Sequence, residues 1–306
     1  MAHAPERGRW EVAAGDAGRR IDAALAERLG ASRAAAQRLI AEGRVRVDGA
    51  AVDKGHTLKA GETVSWERPP PAPSGLVAEA IAVPIVYEDD WLLVVDKPAG
   101  MVVHPAPGHE RGTLVQALLD RGIAGGHGRR PGVIHRLDRE TSGLLIVARG
   151  EEPYRRLVAA MSSRRISRTY LALLIGEVAQ DEGTIDAPIG RHLRDRRRMA
   201  LHSARARPAV THFTVLARGA GYTLARVRLE TGRTHQIRVH FAALGHPVAG
   251  DATYGRRPVP EGLTRHFLHA AELRFAHPDD GRELRFESPL PAELAAFLDR
   301  LGLPRP

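Results

Sequence analysis

At 306 residues the chain is long enough for two domains with cores of their own, and 45 Lys and Arg against 36 Asp and Glu leave a formal charge of +9 that draws phosphate-rich partners. A coding bias toward Ala, Gly and Arg produces the same excess without RNA, so charge alone does not choose. With no cysteine, disulfides, Cys-ligated zinc, iron–sulfur clusters and thiol nucleophiles are excluded.

In chain order, Ile21, Leu25 and Leu29 recur every fourth residue before Gly30, which predicts a short helix with a glycine at its C-terminal cap. Ser32 then caps a second helix that buries Ala36, Leu39 and Ile40, ends at Gly43 and leaves Arg33, Gln37 and Arg38 to solvent. Arg44-Val45-Arg46-Val47 alternates as a strand, and Asp48-Gly49 suits a tight hairpin turn. The segment from about Gly18 to Trp66 resembles the S4 RNA-binding module, in RRIDAALAERLG, ASRAAAQRLIAEGRVRVDG and LKAGETV. The resemblance implies docking on structured RNA, with Arg33, Gln37, Arg38, Arg44 and Arg46 as phosphate or groove contacts; the alternative is a solvated helix face. Such contacts supply affinity more than target choice. Prolines in the segment 69–75 then fix an extended backbone and read as a semi-rigid linker. The expected domains are therefore 12–68, S4-like, and 76–306.

Downstream, Trp91–Val95 is a short apolar strand that runs through the breaker cluster Asp96-Lys97-Pro98-Ala99-Gly100 into Met101-Val102-Val103-His104-Pro105, a strand–turn–strand pattern. A lone histidine at a strand end is usually structural, and His104 is given no catalytic role. The stretch from Val133 to Val147 sets a polar loop, HRLDRETSG, between two apolar strands, where chemistry usually sits. Taken alone, Asp138 equally serves as a loop-organising Asx residue. In Leu229–Phe241, Thr234 suits the cap of a helix that carries Ile237, Phe241 and Leu244 on one face up to Gly245, while the alternation His235, Ile237, Val239, Phe241 also suits a strand. The stop signal Gly245-His246-Pro247 favours the helix, which puts Arg233 just before a helix N-terminus, where anions are stabilised.

Together HRLDRETSG, LETGRTHQIRVH, VVDKPAGMVVHP and RTYLAL resemble the signature motifs of the RluA family of pseudouridine synthases, over roughly residues 81 to 290 and in the family's order. The resemblance implies an α+β catalytic domain on a mixed, largely antiparallel sheet crossed by the active-site cleft. It implies an enzyme that isomerises uridine in large-subunit (23S) ribosomal RNA; isomerisation has no redox change, group donor or hydrolysis and so implies no cofactor, and a monomer is expected. By position Asp138 is the nucleophile, Arg233 its pairing arginine and Tyr170 the ring that lies against uracil. Arg136 fills the space left by the extruded nucleotide, and Ile237 packs beneath the base or serves the core. Arg168 stands where many relatives have lysine, a departure outside this catalytic set.

No Gly-rich dinucleotide fingerprint, phosphate-loop lysine motif or HExxH cluster is present, so neither a cofactor nor a metal is expected. A pure RNA-binding platform predicts damage at Asp138 or Arg233, and both are intact. An Asp-dependent hydrolase needs a second carboxylate or a metal, and the loop offers only Glu140. The opening MAHAPERGRWEV has no apolar h-region, and runs such as Trp91–Val95 fall far short of the ~20 residues that cross a bilayer, so a cytoplasmic protein without membrane partners is expected.

Overall fold

A computed structural model describes residues 5–69 and 75–306, apart from 32, 107, 127, 196, 197, 202, 204 and 256–258. The chain divides into two units, Met1–Ser74 and Gly75–Pro306. Of the proline-rich segment 69–75, residues 70–74 lie outside the described residues, as does the expected cap Ser32.

The first unit contains β1 (Glu6–Glu11), α1 (Ile21–Arg28), α2 (Arg33–Ala41), β2 (Val45–Val47), β3 (Ala50–Ala51) and β4 (Thr63–Arg68). Its strands form one antiparallel sheet in the order β1-β4-β2-β3. Ile21 and Leu25 of α1 and Ala36, Leu39 and Ile40 of α2 pack on Val45, Val47, Leu58 and Val64, so both helices form on the apolar stripes that the spacing marks. Asp48 and Gly49 have φ of 48° and 80°, the two positive values of the tight turn that joins β2 to β3. Strand β1 lies ahead of the expected domain start at residue 12 and pairs along the whole of β4. Gly8 makes this possible, because a Cβ there would come within 2.6 Å of the Trp66 ring.

The second unit is built from β5 (Ile85–Glu88), β6 (Leu92–Lys97), α3 (Leu114–Leu118), β7 (Ser142–Ala148), α4 (Glu151–Ser162), β8 (Ser167–Ile175) and β9 (Glu182–Asp186). There follow β10 (Ile189–Arg191), β11 (Met199–Leu201), β12 (Val210–Gly219), β13 (Tyr222–Leu229), α5 (Gln236–Ala243), β14 (Leu268–Ala276), β15 (Glu283–Glu287) and α6 (Ala292–Arg300). The main sheet runs β5-β6-β7-β14-β8-β13-β12-β9 with β15 on β14, and β10 pairs with β11 apart from it. Every pairing is antiparallel except β7 with β14, which gives the mixed, largely antiparallel sheet of an α+β domain. At that parallel junction Gly143, at φ 112°, lets the backbones close up; a Cβ would lie 2.3 Å from the Ala270 carbonyl oxygen.

Both faces of this sheet are covered. Leu93, Val95, Leu145, Val147, Ala172 and Leu174 face α3 and α5, whereas the alternate residues Leu92, Val94, Leu144 and Ile146 pack on Leu157 of α4, and Leu173 and Leu224 on Leu294 and Phe297 of α6. Two-sided burial is why these strands read as unbroken apolar runs, and each such side chain contributes about 1.5–3 kcal/mol.

Three local expectations are revised. Residues 101–105 are not a strand: the Lys97 ammonium takes the carbonyls of Pro98 and Met101, and those of Val102 and Val103 accept from Leu114 and Val115 at the start of α3. Their acceptors are spent before a ladder can use them. Upstream of Asp138 there is no strand either, only an isolated bridge from Val133 to Val147. The helix at 234–244 forms, but His235 rather than Thr234 is its cap, at φ 57°, and Leu244 is exposed.

Candidate active site

Asp138 sits in the loop that precedes β7, and α5 brings Arg238 to it. Arg238 donates from Nη1 to Asp138 Oδ2 at 2.9 Å. Its Nε and Nη2 grip both oxygens of Asp251, at 2.6 and 2.8 Å. Asp251 is fully buried and also takes the backbone N–H of Thr253 and Tyr254. With the Nε–Nη2 edge of the planar guanidinium fixed by Asp251, Nη1 can point only one way, which sets the Asp138 carboxylate in one orientation.

The carboxylate lines a cleft of about 780 Å³ with residues 133–138, Arg168 and Tyr170 of β8, and the segment 229–238 that enters α5. Burial pushes the Asp138 pKa up, but the neighbouring His235, Arg238 and His266 side chains, with the Arg238 hydrogen bond, outweigh it and hold the group below its ordinary value. Burial lowers both histidines, His266 to about 3, so at neutral pH they carry no charge and Arg238 is the permanent cation. Among the described residues only one Asp138 oxygen accepts a hydrogen bond. The other faces His235 Nε2 at 3.9 Å. The Tyr254 oxygen accepts the Met199 N–H at 2.7 Å and lies 2.8 Å from His235 Nδ1.

Tyr170 is buried and lines the same cleft; desolvation pushes its phenol above the ordinary value, so at neutral pH it keeps its proton. Ile237, also buried, shares the wall. Arg136 is exposed and has no hydrogen bond or ion pair among the described residues. His104 and His135 line the cleft too, lowered by burial to about 4 and about 3.

The arginine expected to pair with Asp138 is not Arg233. Arg233 lines the cleft, but its Nε donates to the Pro208 carbonyl and its N–H to Gln236 Oε1. The first turn of α5 turns the loop residue away and aims Arg238 inward, four residues after Thr234 and one after Ile237. Both Arg238 and Asp251 escaped the sequence reading, although the helical period and the Gly250-Asp251 pair carried the signal. Arg168 is corrected as well: it stands inside the cleft, on the face of β8 that presents Tyr170.

In the first unit the expected RNA contacts divide. Arg33 donates twice to Asp22 at 3.0 Å, and Gln37 once at 2.6 Å. Arg44 is paired with Glu42 and Glu67, Arg46 donates to the Gly49 carbonyl, and Arg38 is exposed with no partner among the described residues. Of these five, Arg38 and Arg46 are those whose guanidinium pairs with no carboxylate among the described residues.

A family model described as RNA pseudouridylate synthase matches residues 91–243, and one described as S4 domain matches residues 19–64. The chain belongs to the RNA pseudouridylate synthase family. The synthase is 50% identical, over 92% of its length and 90% of the relative's, to a Chloroflexus aurantiacus protein named "Uncharacterized RNA pseudouridine synthase". It is 43% identical, over 86% and 85% of the two chains, to the "Ribosomal large subunit pseudouridine synthase D" of Pseudomonas aeruginosa. Among solved structures it resembles "Human RNA Pseudouridylate Synthase Domain Containing 1", with a TM-score of 0.56, 31% identity, and coverage of 75% of this chain and 98% of that one. The matched span holds Asp138, Arg168, Tyr170, Arg233 and Arg238, while Asp251 lies beyond it. The protein is an RNA-modifying enzyme with an S4 domain, and among its described residues no helix is long and apolar enough to cross a membrane.

Proposed function

We propose that the synthase isomerises specific uridines of large-subunit ribosomal RNA to pseudouridine in the cytoplasm, as a monomer, with Asp138 as nucleophile and no cofactor. One observation carries the chemistry: the Asp138 carboxylate lines the cleft, pinned at one oxygen by Arg238 while the other takes no hydrogen bond among the described residues, and its surroundings hold its pKa below the ordinary value. That is what attack on a sugar carbon requires. The open oxygen attacks the ribose C1′, and the electron pair of the C1′–N1 bond passes to the uracil. The base turns within the cleft, against Tyr170 and above Ile237, and its C5 attacks C1′ to release the carboxylate. C5 then gives up its hydrogen and N1 gains one. Nothing is oxidised or transferred, so no cofactor is needed.

Arg136 at the cleft is suited to replace the extruded nucleotide in the stack, since a planar guanidinium recovers part of the few kcal/mol that extrusion costs. Arg233, next to the start of α5, suits the RNA backbone. In the S4 unit, Arg38 and Arg46 are the foremost phosphate contacts, with Arg33, Gln37 and Arg44 behind them. Similarity to the Pseudomonas large-subunit synthase supports the choice of target.

Pseudouridine mapping of ribosomal RNA from wild-type cells, cells lacking the gene and cells carrying Asp138→Asn tests the proposal. Loss of the same large-subunit sites in both altered strains supports it. Loss in the deletion alone removes Asp138 from the chemistry, and no change at any large-subunit site removes the target.

A further inference from the structure

Among the described residues Arg168 is a buried arginine without a counterion. It is 5% exposed, its Nε is buried with no hydrogen-bond partner, and neither Nη makes a hydrogen bond or ion pair among the described residues. The other buried arginines among the described residues of the unit are paired with carboxylates. Arg238 has Asp138 and Asp251, and Arg265 has Glu293, Ser142 and the carbonyls of Glu140 and Leu268. An unpaired buried charge is costly, and the protein has arranged no group of its own to offset it. What Arg168 does have is access to the cleft, two residues before Tyr170 on one face of β8. The loop entering α5 makes room for it at Gly232, where a Cβ would meet Nη1 at 2.8 Å.

We propose that Arg168 touches the substrate: its guanidinium donates to a carbonyl oxygen of the target uracil and stabilises the negative charge the base acquires as its bond to the ribose breaks. This deepens the proposed reaction and rests on the cleft being where uridine is isomerised. When C1′–N1 breaks, its electron pair spreads from N1 onto O2 and O4. Arg168 keeps its protons throughout, and the charge leaves those oxygens when C5 bonds to C1′. A base carbonyl fits better than a phosphate. The guanidinium is buried beside the tyrosine that faces the base, whereas exposed Arg130, Arg136 and Arg207 line the same cleft and suit the hydrated backbone. The charge is close enough to lower the Tyr170 phenol against the upward push of burial.

The test is single-turnover pseudouridine formation on a large-subunit ribosomal RNA transcript, read by mass spectrometry, with RNA affinity measured at several salt concentrations. Removing a donor aimed at developing charge costs about 10²–10³ in rate. Arg168→Met is expected to lose about that much, with affinity within about twofold, an unchanged salt slope and a melting temperature that does not fall. Arg168→Lys, which keeps one charged donor, is expected to retain more of the rate than Arg168→Met and serves as the test if the Met variant does not fold. An unchanged rate in Arg168→Met overturns the inference. So does weakened affinity with a shallower salt slope and a normal rate on bound RNA, which marks a phosphate contact. Asp138→Asn separates the two readings. If it is active, the reading of the cleft fails; if it is inert while Arg168→Met is fully active, only the role of Arg168 fails.

Discussion

Asp22 in the S4 unit and Asp138 in the catalytic cleft are both aspartates held by arginine, and they are held in opposite ways. Asp22 is fully buried and saturated: Arg20 and Arg33 each donate twice to it and Gln37 once. Those donors, Arg20 foremost, hold its pKa far below the usual range. Asp138 receives one hydrogen bond and keeps an oxygen toward the cleft. A saturated carboxylate ties α1 to α2; a carboxylate held at one oxygen keeps an acceptor for the cleft, as the proposed chemistry requires. The same contrast separates Arg238, each of whose three nitrogens donates to a carboxylate, from Arg168, whose donors await a partner.

The comparison breaks first at Arg238. Arg238→Met removes the counterion of Asp138 and leaves Asp251 buried and unpaired. The expected result is a rate loss of about a thousandfold and a stability loss of about 3–5 kcal/mol in the second unit, read by single-turnover kinetics and thermal unfolding. Arg238→Met with Asp251→Leu should regain stability without regaining rate; recovery of both would reduce the ion pair to a packing role.

Asp22→Asn should cost about 1–3 kcal/mol in the first unit and weaken RNA binding, while the rate on saturating RNA stays within about twofold. Because the folded pKa of Asp22 is depressed, its contribution is fully present above the unfolded value near 3.9 and is lost as pH falls below it. Acid melts of wild type and Asp22→Asn should therefore begin to converge as pH falls below about 4 and close the gap progressively at lower pH.

How much of this was legible follows from what each residue answers to. Helix α1, helix α2 and the Asp48-Gly49 turn were readable because local spacing and turn chemistry dictate them. Strand β1 was not, because its pairing depends on Trp66, far along the chain, finding space at Gly8. Asp138 and Tyr170 were readable from motifs. Arg238 was hidden by Arg233: both fall in one motif, and only the axis of α5 decides which faces the carboxylate. Arg168 looked like a harmless exchange for lysine because solitude inside a protein is a property of three-dimensional surroundings.

The pH profile sharpens the active-site half of the comparison. Asp138 lies below its ordinary value and the Tyr170 phenol above its own, so neither should change charge between about pH 5 and 9. The single-turnover rate is expected to show no inflection assignable to either there; one at pH 6–8 that disappears in Tyr170→Phe would make the phenolate a participant. The smallest effect belongs to the S4 surface. Arg38→Gln and Arg46→Gln should each lower the salt slope of RNA binding by about one and leave the rate on bound RNA unchanged.

Purified Asp138→Asn measures the central claim most directly, because it keeps the shape of the side chain and removes its charge. The expected result is a wild-type melting temperature, RNA affinity within about threefold, and pseudouridine formation down by at least about a thousandfold in single turnover. A rate within tenfold of wild type would contradict the account, since the open carboxylate in the cleft would then not be the group that reacts.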